Sequence, residues 1–573
     1  MNENQQTQRK KPPACDYCKA RRVICHAQSE GPCPRCVEKG VPCTTSAPAA
    51  RRRRRTKAEM QEERMKKANK KADLTLRTSG LETSLTQPNE GPARHLGAPR
   101  PIPPSLNLST ELVAELIQIF RILPQSLHPI IPLDELESSL RLASWSLASL
   151  PPQLRVLAQI IITLASFFST NAAIVGPGGC GPEVTGIALS KAPLKEPAVP
   201  DLREYGVRRK PVCYQLWAEA LSLAHQQGIT AYVSRETAAC CWLLDFLECR
   251  FSGEGVSTYA SAYNSHLRCL AETNDSAIPG GAADIPETSI LYRAHMMHDA
   301  VYAITSRRSI PFSHQDELLI SGPCTTTLEQ LLQEFSSNVS NKQLFLSMNA
   351  FASHTIRLAR ESSERLTGVY ARRQPLDEVF LASHFASLDL MHSILLAERD
   401  RALWVVDDPT ESHFIRSCAY ALHISWGCLV LNLYELLLDR VNNSLCDFDL
   451  SFHSAVPSAT DYDPREWLKL HFSRVRQMAL SVAVGISEAL KDVPCISRVT
   501  HLHFEELEKW AKLLLGEVGT VIINRSDRLR ALQCYRDAMK IAGFSWANRS
   551  AGLVEIIDEH LAESQDFILR KAH

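Results

Sequence analysis

Six of the chain's eighteen cysteines fall between residues 15 and 43, in the order Cys15-x2-Cys18-x6-Cys25-x7-Cys33-x2-Cys36-x6-Cys43. A C-x2-C pair lets two thiolates hold one tetrahedral metal ion from a tight turn. The third cysteine, seven residues on, returns to the same side after about two helical turns. The C-x2-C-x6-C unit occurs twice, which implies two equivalent loops related by a pseudo-twofold axis. Six ligands are too few for two separate four-coordinate ions and too many for one. The arithmetic closes if two thiolates bridge both ions. With two Zn²⁺ the formal charge is then negative, and Lys19, Arg21 and Arg22, between the second and third cysteines, partly offset it. Disulfides fit poorly, because the polar, basic start MNENQQTQRKK lacks an apolar leader segment. A thioredoxin-like pair would need a βαβ setting, and a single four-cysteine site would leave two regularly spaced cysteines idle.

The charge pattern gives this cluster a candidate partner. The chain has 573 residues and no formal net charge. Yet residues 1–80 hold 20 Lys/Arg against 8 Asp/Glu, and the remainder 43 against 55. A basic head on a mildly acidic body points to a polyanion bound by the head. Arg51, Arg52, Arg53, Arg54 and Arg55 are consecutive. Such a run is a solvated arm that can lie along phosphates, adding salt-dependent affinity without sequence information, and it also fits a nuclear import signal.

The cysteine spacing, together with a basic first loop, resembles the DNA-binding domain of the fungal binuclear zinc-cluster (Zn2Cys6) transcription factors. The resemblance covers about 30 residues. It implies two Zn²⁺ ions per chain, with Cys15 and Cys33 bridging, Cys18 and Cys25 completing one shell, and Cys36 and Cys43 the other. It implies too that the first short helix enters the major groove of double-stranded DNA with CGG-type triplets. The family's base-reading position, four residues after the second cysteine, is Arg22, with Arg21 beside it; arginine suits bidentate contact to guanine. Lys19 suits a phosphate, which positions without specifying. Pro32 matches the family's inter-loop proline, whereas Ile24 stands where a basic residue is common. His26 reads as an exposed loop residue.

These readings divide the chain into a zinc-cluster domain at 1–50, a basic arm and disordered linker at 51–107, and an all-helical regulatory body at 108–573. Residues 56–77 favour helix, but Met60, Met65, Ala68, Ala72 and Leu76 make a poor heptad, so a homodimer stays open. Residues 78–105 are rich in Pro, Gly, Ser and Thr and read as linker. Ser109 followed by Glu111 is a helix start. Helix-period segments follow at 153–169, 235–251, 377–401, 412–441, 464–491 and 504–523, with breaks at 176–200, 272–286 and 446–463. The apolar stretch 156–175 contains Gln159, Thr163, Ser166 and Asn171 and reads as a core helix, not a membrane span. The body resembles the same family's middle homology region over residues 108–450, through IFRILPQSLHPIIPLDELESSL, VLAQIIITLASFF and LYRAHMMHDAVYAITSRRSIPFS. The expected fold is therefore mainly α.

Nothing in the body reads as an enzyme: no Walker loop, no His-Glu-x-x-His and no Gly-x-Ser-x-Gly occurs. His295 and His298, followed by Asp299, fit packing better than metal binding, and the remaining cysteines, among them Cys240, Cys241 and Cys249, read as reduced core thiols. The acidic segment 553–569 reads first as a helix closing the body and second as a surface for the transcription machinery or co-regulators. The reading as a whole is a nuclear, sequence-specific transcription factor that touches no membrane. Two other classes stay open: a zinc-stabilised interaction module that never meets DNA, and a helical enzyme with an appended zinc domain.

Overall fold

Ser109 accepts a hydrogen bond from the Leu112 N–H at 3.2 Å and so caps the helix Thr110–Arg121. The computed structural model describes residues 14–45 apart from 22, 24 and 27–30. It also describes residues 108–572 apart from 191, 194–198, 253–257, 274–286, 338–340, 403–408, 447–463, 500–503, 518–521 and 546–551. The arginine run 51–55, the helix expected at 56–77 and the linker at 78–105 lie outside the described residues. The described residues fall into two compact units, one within 1–100 and one within 101–573.

The larger unit is all helix. No strand occurs among the described residues; Pro193 and Pro494 form one isolated antiparallel bridge. Pro152–Ser166 is the central core helix, buried at every position from Val156 to Ser166. It packs against Arg203–Gln227, Arg235–Ser252 and Thr110–Arg121. Its end is closed from a distance: the buried Arg209 guanidinium donates to the carbonyls of Ser166, Phe167 and Ser169 at 3.3, 2.6 and 2.9 Å. These carbonyls lie where a helix runs out of internal donors. Burial pulls Arg209 down to about 10, which still leaves it charged at neutral pH.

A second group of helices is built on Pro409–Cys446, which runs along Pro464–Lys491 and also meets Glu287–Thr305 and Glu378–Ala402. Within these helices, Glu378–Arg399 and Arg416–Asn442 are long and apolar enough to cross a membrane, but 44% and 78% of their most apolar windows are buried inside this body. Both groups share one hydrophobic core.

Three details depart from the sequence reading. Of the described residues in 504–523, those of Phe504–Gly516 are helical and Glu517, Ile522 and Ile523 are not; a new helix, Arg525–Ala542, starts where Asn524 accepts from the Ser526 N–H. The break at 176–200 holds a short helix, Pro182–Ala188, begun by a proline in its first turn. Arg203–Gln227 runs unbroken through Gly206 and Pro211, the two residues that mask it in the sequence.

The C-terminal helix Leu553–Ala572 buries Leu553, Val554 and Ile557, and its Asp558 pairs with Arg536 and Lys540 at 3.0 Å each. It closes the body, the first of the two readings of 553–569. Between Arg525–Ala542 and Arg203–Gln227 the approach is close: Leu202 N–H donates to the Lys540 carbonyl at 3.2 Å. A Cβ on Gly543 would collide with Arg203 Cγ and lie 3.1 Å from its backbone Cα. Gly543→Ala is therefore expected to cost roughly 1–3 kcal/mol by overpacking, read as a lower urea midpoint of the body with its slope unchanged.

Candidate metal centre and nucleic-acid face

The N-terminal unit is two copies of one turn. Helix α1, Asp16–Ala20, follows Cys15, and helix α2, Pro34–Glu38, follows Cys33. The two N-cap cysteines share an extended conformation, φ/ψ −64/156 and −65/148. Lys19 N–H donates to the Cys15 carbonyl as Val37 N–H does to that of Cys33, and Val23 donates to Cys18 as Val41 does to Cys36. The repeat expected from the spacing is thus a repeat of backbone hydrogen bonds. Asp16 N–H donates to the Thr44 carbonyl at 2.8 Å, and Thr44 Oγ1 to the Asp16 carboxylate at 3.3 Å, tying the end of the second turn to the start of the first.

The repeat brings the sulfurs together in two overlapping groups of four. Cys15, Cys18, Cys25 and Cys33 form one, and Cys15, Cys33, Cys36 and Cys43 the other; within each, all sulfurs lie within 4.8 Å of one another. The separations Cys15–Cys33, Cys15–Cys36, Cys18–Cys33 and Cys15–Cys25 are 3.9, 3.6, 3.8 and 3.8 Å. A disulfide would need about 2.05 Å. A tetrahedral ion bound to sulfur at about 2.3 Å sets its ligands about 3.8 Å apart. These separations therefore match the edges of sulfur tetrahedra, and the two shared corners, Cys15 and Cys33, are the pair that the family resemblance made bridging.

The surrounding amides suit thiolates. A backbone hydrogen bond from Cys18 pulls Cys15 down to about 6, and one from Cys36 likewise lowers Cys33. Burial pushes Cys18 up to about 12 and raises Cys36 as well. Cys33 N–H also donates to Cys43 Sγ at 3.3 Å. Among the described residues, the fully buried ones of the unit are Cys15, Cys18, Cys33 and Cys36, with Tyr17, Val23, Cys25, Val41 and Cys43 packed around them. Its interior is sulfur.

The two halves differ in what they show to solvent. On α1, Lys19 and the C-capping Arg21 are exposed, and the Arg21 guanidinium lies over the Tyr17 ring at 5.6 Å. On the second half Val37 stands at the place of Lys19, and Lys39 pairs with Glu38 at 3.4 Å. The stretch after Cys18 therefore shows two exposed cations where the stretch after Cys36 shows a matched pair, and Arg35 adds one exposed cation within α2. Arg22 and Ile24 lie outside the described residues; His26 is exposed, as expected. Tyr17 beneath Arg21 and the Asp16–Thr44 tie were missed in the sequence, and neither leaves a spacing signal.

The other candidates do not converge as ligands. His295 stacks on His128 with centroids 4.3 Å apart, and His298 faces the Tyr302 ring. Burial lowers His295 to about 3 and raises Asp299 to about 8, as for groups packed in an interior. The metal-capable groups found among the described residues contain cysteines of the N-terminal unit alone. Cys240 and Cys241 are buried thiols, and no disulfide occurs among the described residues. No known protein family, curated protein or solved structure matches the chain.

Because Cys15 and Cys33 belong to both sulfur groups, Cys15→Ser or Cys33→Ser should impair both metal sites. Cys25→Ser or Cys43→Ser should impair mainly one. Metal per chain measured by atomic emission is expected to fall further for the first pair than for the second.

Proposed function

We propose that the chain is a nuclear, sequence-specific DNA-binding transcription regulator. Two zinc ions held by Cys15, Cys18, Cys25, Cys33, Cys36 and Cys43 would fold its N-terminal unit. The observation that carries this reading is the pair of four-sulfur groups sharing Cys15 and Cys33, with exposed Lys19 and Arg21 on one half only. The donor set fits zinc, since four thiolates at tetrahedral separations suit its preferred ligands and geometry. Bound zinc would supply structure, not chemistry.

In this mechanism α1 docks in the major groove. Arg22 and Arg21 read guanine edges of a CGG-type triplet, and Lys19 neutralises a phosphate. Stacking on Tyr17 limits the rotamers of Arg21 before contact, so less freedom is lost on binding. The Lys39–Glu38 pair neutralises the loop after Cys36, whereas Lys19 and Arg21 leave the loop after Cys18 positive, which favours one orientation on the duplex. Arg51–Arg55 add backbone affinity and a nuclear import signal. The helical body serves regulation and contact with co-regulators, without catalysis.

The test is zinc per chain on the purified full-length protein, combined with selection of bound sites from random DNA. Two zincs and an enriched CGG-containing motif are the expected result; one zinc, or two with no sequence enriched, favours the interaction-module reading. Arg22→Ala should cost about 1–3 kcal/mol and relax preference at one base position. Replacing Arg51–Arg55 should weaken all sequences alike and flatten the dependence of affinity on salt. Equal effects of the two changes would overturn this division of roles.

A further inference from the structure

A cavity of about 530 Å³ lies in the body where Glu378–Ala402, Pro409–Cys446, Pro464–Lys491 and Arg525–Ala542 meet. That size accommodates a small organic molecule. Its lining includes Glu398, Arg399, Arg416, Tyr420, His423 and Val484, a mixed wall with charged groups beside an aromatic and an aliphatic face.

Glu398 is the anomaly in this wall. It is fully buried, and neither carboxyl oxygen has a hydrogen-bond partner. Burial raises it to about 8, so at neutral pH the group is mostly an uncharged acid with an O–H to donate. Its nearest basic neighbour, His423 Nδ1, is 3.9 Å from Oε2 and instead donates to the Ala419 carbonyl at 3.0 Å. With Nδ1 thus used, Nε2 is left as an acceptor. Burial, aided by the nearby Arg399 charge, lowers His423 to about 4, so the imidazole is neutral. Unsatisfied buried polar groups are rare in native proteins and call for a partner.

The charged groups around this neutral pair are unequal. Arg530 pairs with Asp527 and Glu488 with Lys491, each within its own helix. Arg399, exposed, and Arg416, half-buried, form no ion pair among the described residues. Asp492 lines the same cavity and, like Arg399, is exposed. Two unpaired guanidiniums make a fork-shaped donor set that suits a carboxylate. An amine is the weaker fit, because the one buried acid available to receive it is held neutral.

We propose that this cavity binds a small organic acid, its carboxylate held by Arg399 and Arg416 and an uncharged hydroxyl or carbonyl group facing Glu398 and His423. The site lies in the helical body and its occupancy does not require the zinc unit or DNA. It goes beyond the DNA-binding reading by giving the body a ligand.

The test uses the full-length, zinc-loaded protein in titration calorimetry and thermal unfolding. The probes are succinate, 2-oxoglutarate, citrate and benzoate, with putrescine as the cationic control and sodium chloride matching ionic strength. At least one acid is expected to bind saturably and raise the unfolding midpoint, as a ligand selective for the folded state must. Arg399→Ala and Arg416→Ala should each weaken that binding roughly tenfold or more, the scale of a lost charge-assisted hydrogen bond. Glu398→Leu should remove an unsatisfied buried group, leaving the unliganded protein folded at an equal or higher midpoint while binding weakens. Failure of all four acids to bind, binding indifferent to both arginine changes, or saturable putrescine binding lost in Glu398→Gln would each overturn the proposal. Site selection on the same samples separates the two readings: acid binding without sequence-selective DNA binding overturns the transcription-factor reading alone, and the converse overturns this one alone.

Discussion

Everything in the N-terminal unit depends on sulfur taking the place of a hydrocarbon core. A unit of about 30 residues cannot bury enough apolar surface to fold by the hydrophobic effect. Here the fully buried residues are four cysteines, and thiolates packed 3.6–3.9 Å apart repel one another unless a cation lies between them. Were a metal ion to fill these groups, its binding and the unit's folding would be one event, since the free energy of one would be that of the other. The α1 and α2 turns are too short to persist alone. Their hydrogen bonds, down to the Val23 and Val41 amides, hold because the sulfurs do.

Once the interior is fixed this way, the surface is free to differ between halves that share a backbone. Lys19 and Arg21 occupy positions whose counterparts are Val37 and Lys39, and the latter is matched by Glu38. A duplicated frame thus carries unequal loops, with Arg35 the exposed cation of the second half. The body solves a different problem, that of closing helix ends inside a large core, and uses arginines for it. Arg209 ends one helix, and Arg528 donates to the Leu514 carbonyl near the end of another. Arg399 and Arg416, which end nothing and pair with nothing described, are conspicuous against that pattern.

Much of this was legible in the residues. The cysteine spacing predicted a repeated unit whose sulfurs fall into two groups sharing Cys15 and Cys33, because ligands for metal coordination need a fixed number and distance. The helical body was legible from apolar period, and Pro464–Lys491 has the expected ends because Pro464 opens it and Pro494 follows it. What stayed hidden has physical reasons. Arg203–Gln227 contains Pro211 and Gly206, local breakers outvoted by packing on both sides. Tyr17 beneath Arg21, and Glu398 facing His423 without a hydrogen bond, depend on side-chain direction and on contacts across the fold, which no spacing encodes. The helix at 504 stops early at Gly516 although the apolar pattern continues, since period cannot show where one helix gives way to the next.

The docking of the last helices onto Arg203–Gln227 has a consequence for how the chain is made. Leu202, Arg203 and Arg209 find partners in Lys540, Glu555 and Phe544, more than three hundred residues later. Until residues near 557 have emerged from the ribosome the early helices are therefore without the surface that completes them, and their apolar faces must be sheltered. The cysteine unit is tied together by hydrogen bonds between residues 15 and 44, a span short enough to close early in synthesis if a metal ion fills its sulfur groups. A nascent chain of this protein would carry a finished head on an unfinished body for nearly the whole of its synthesis.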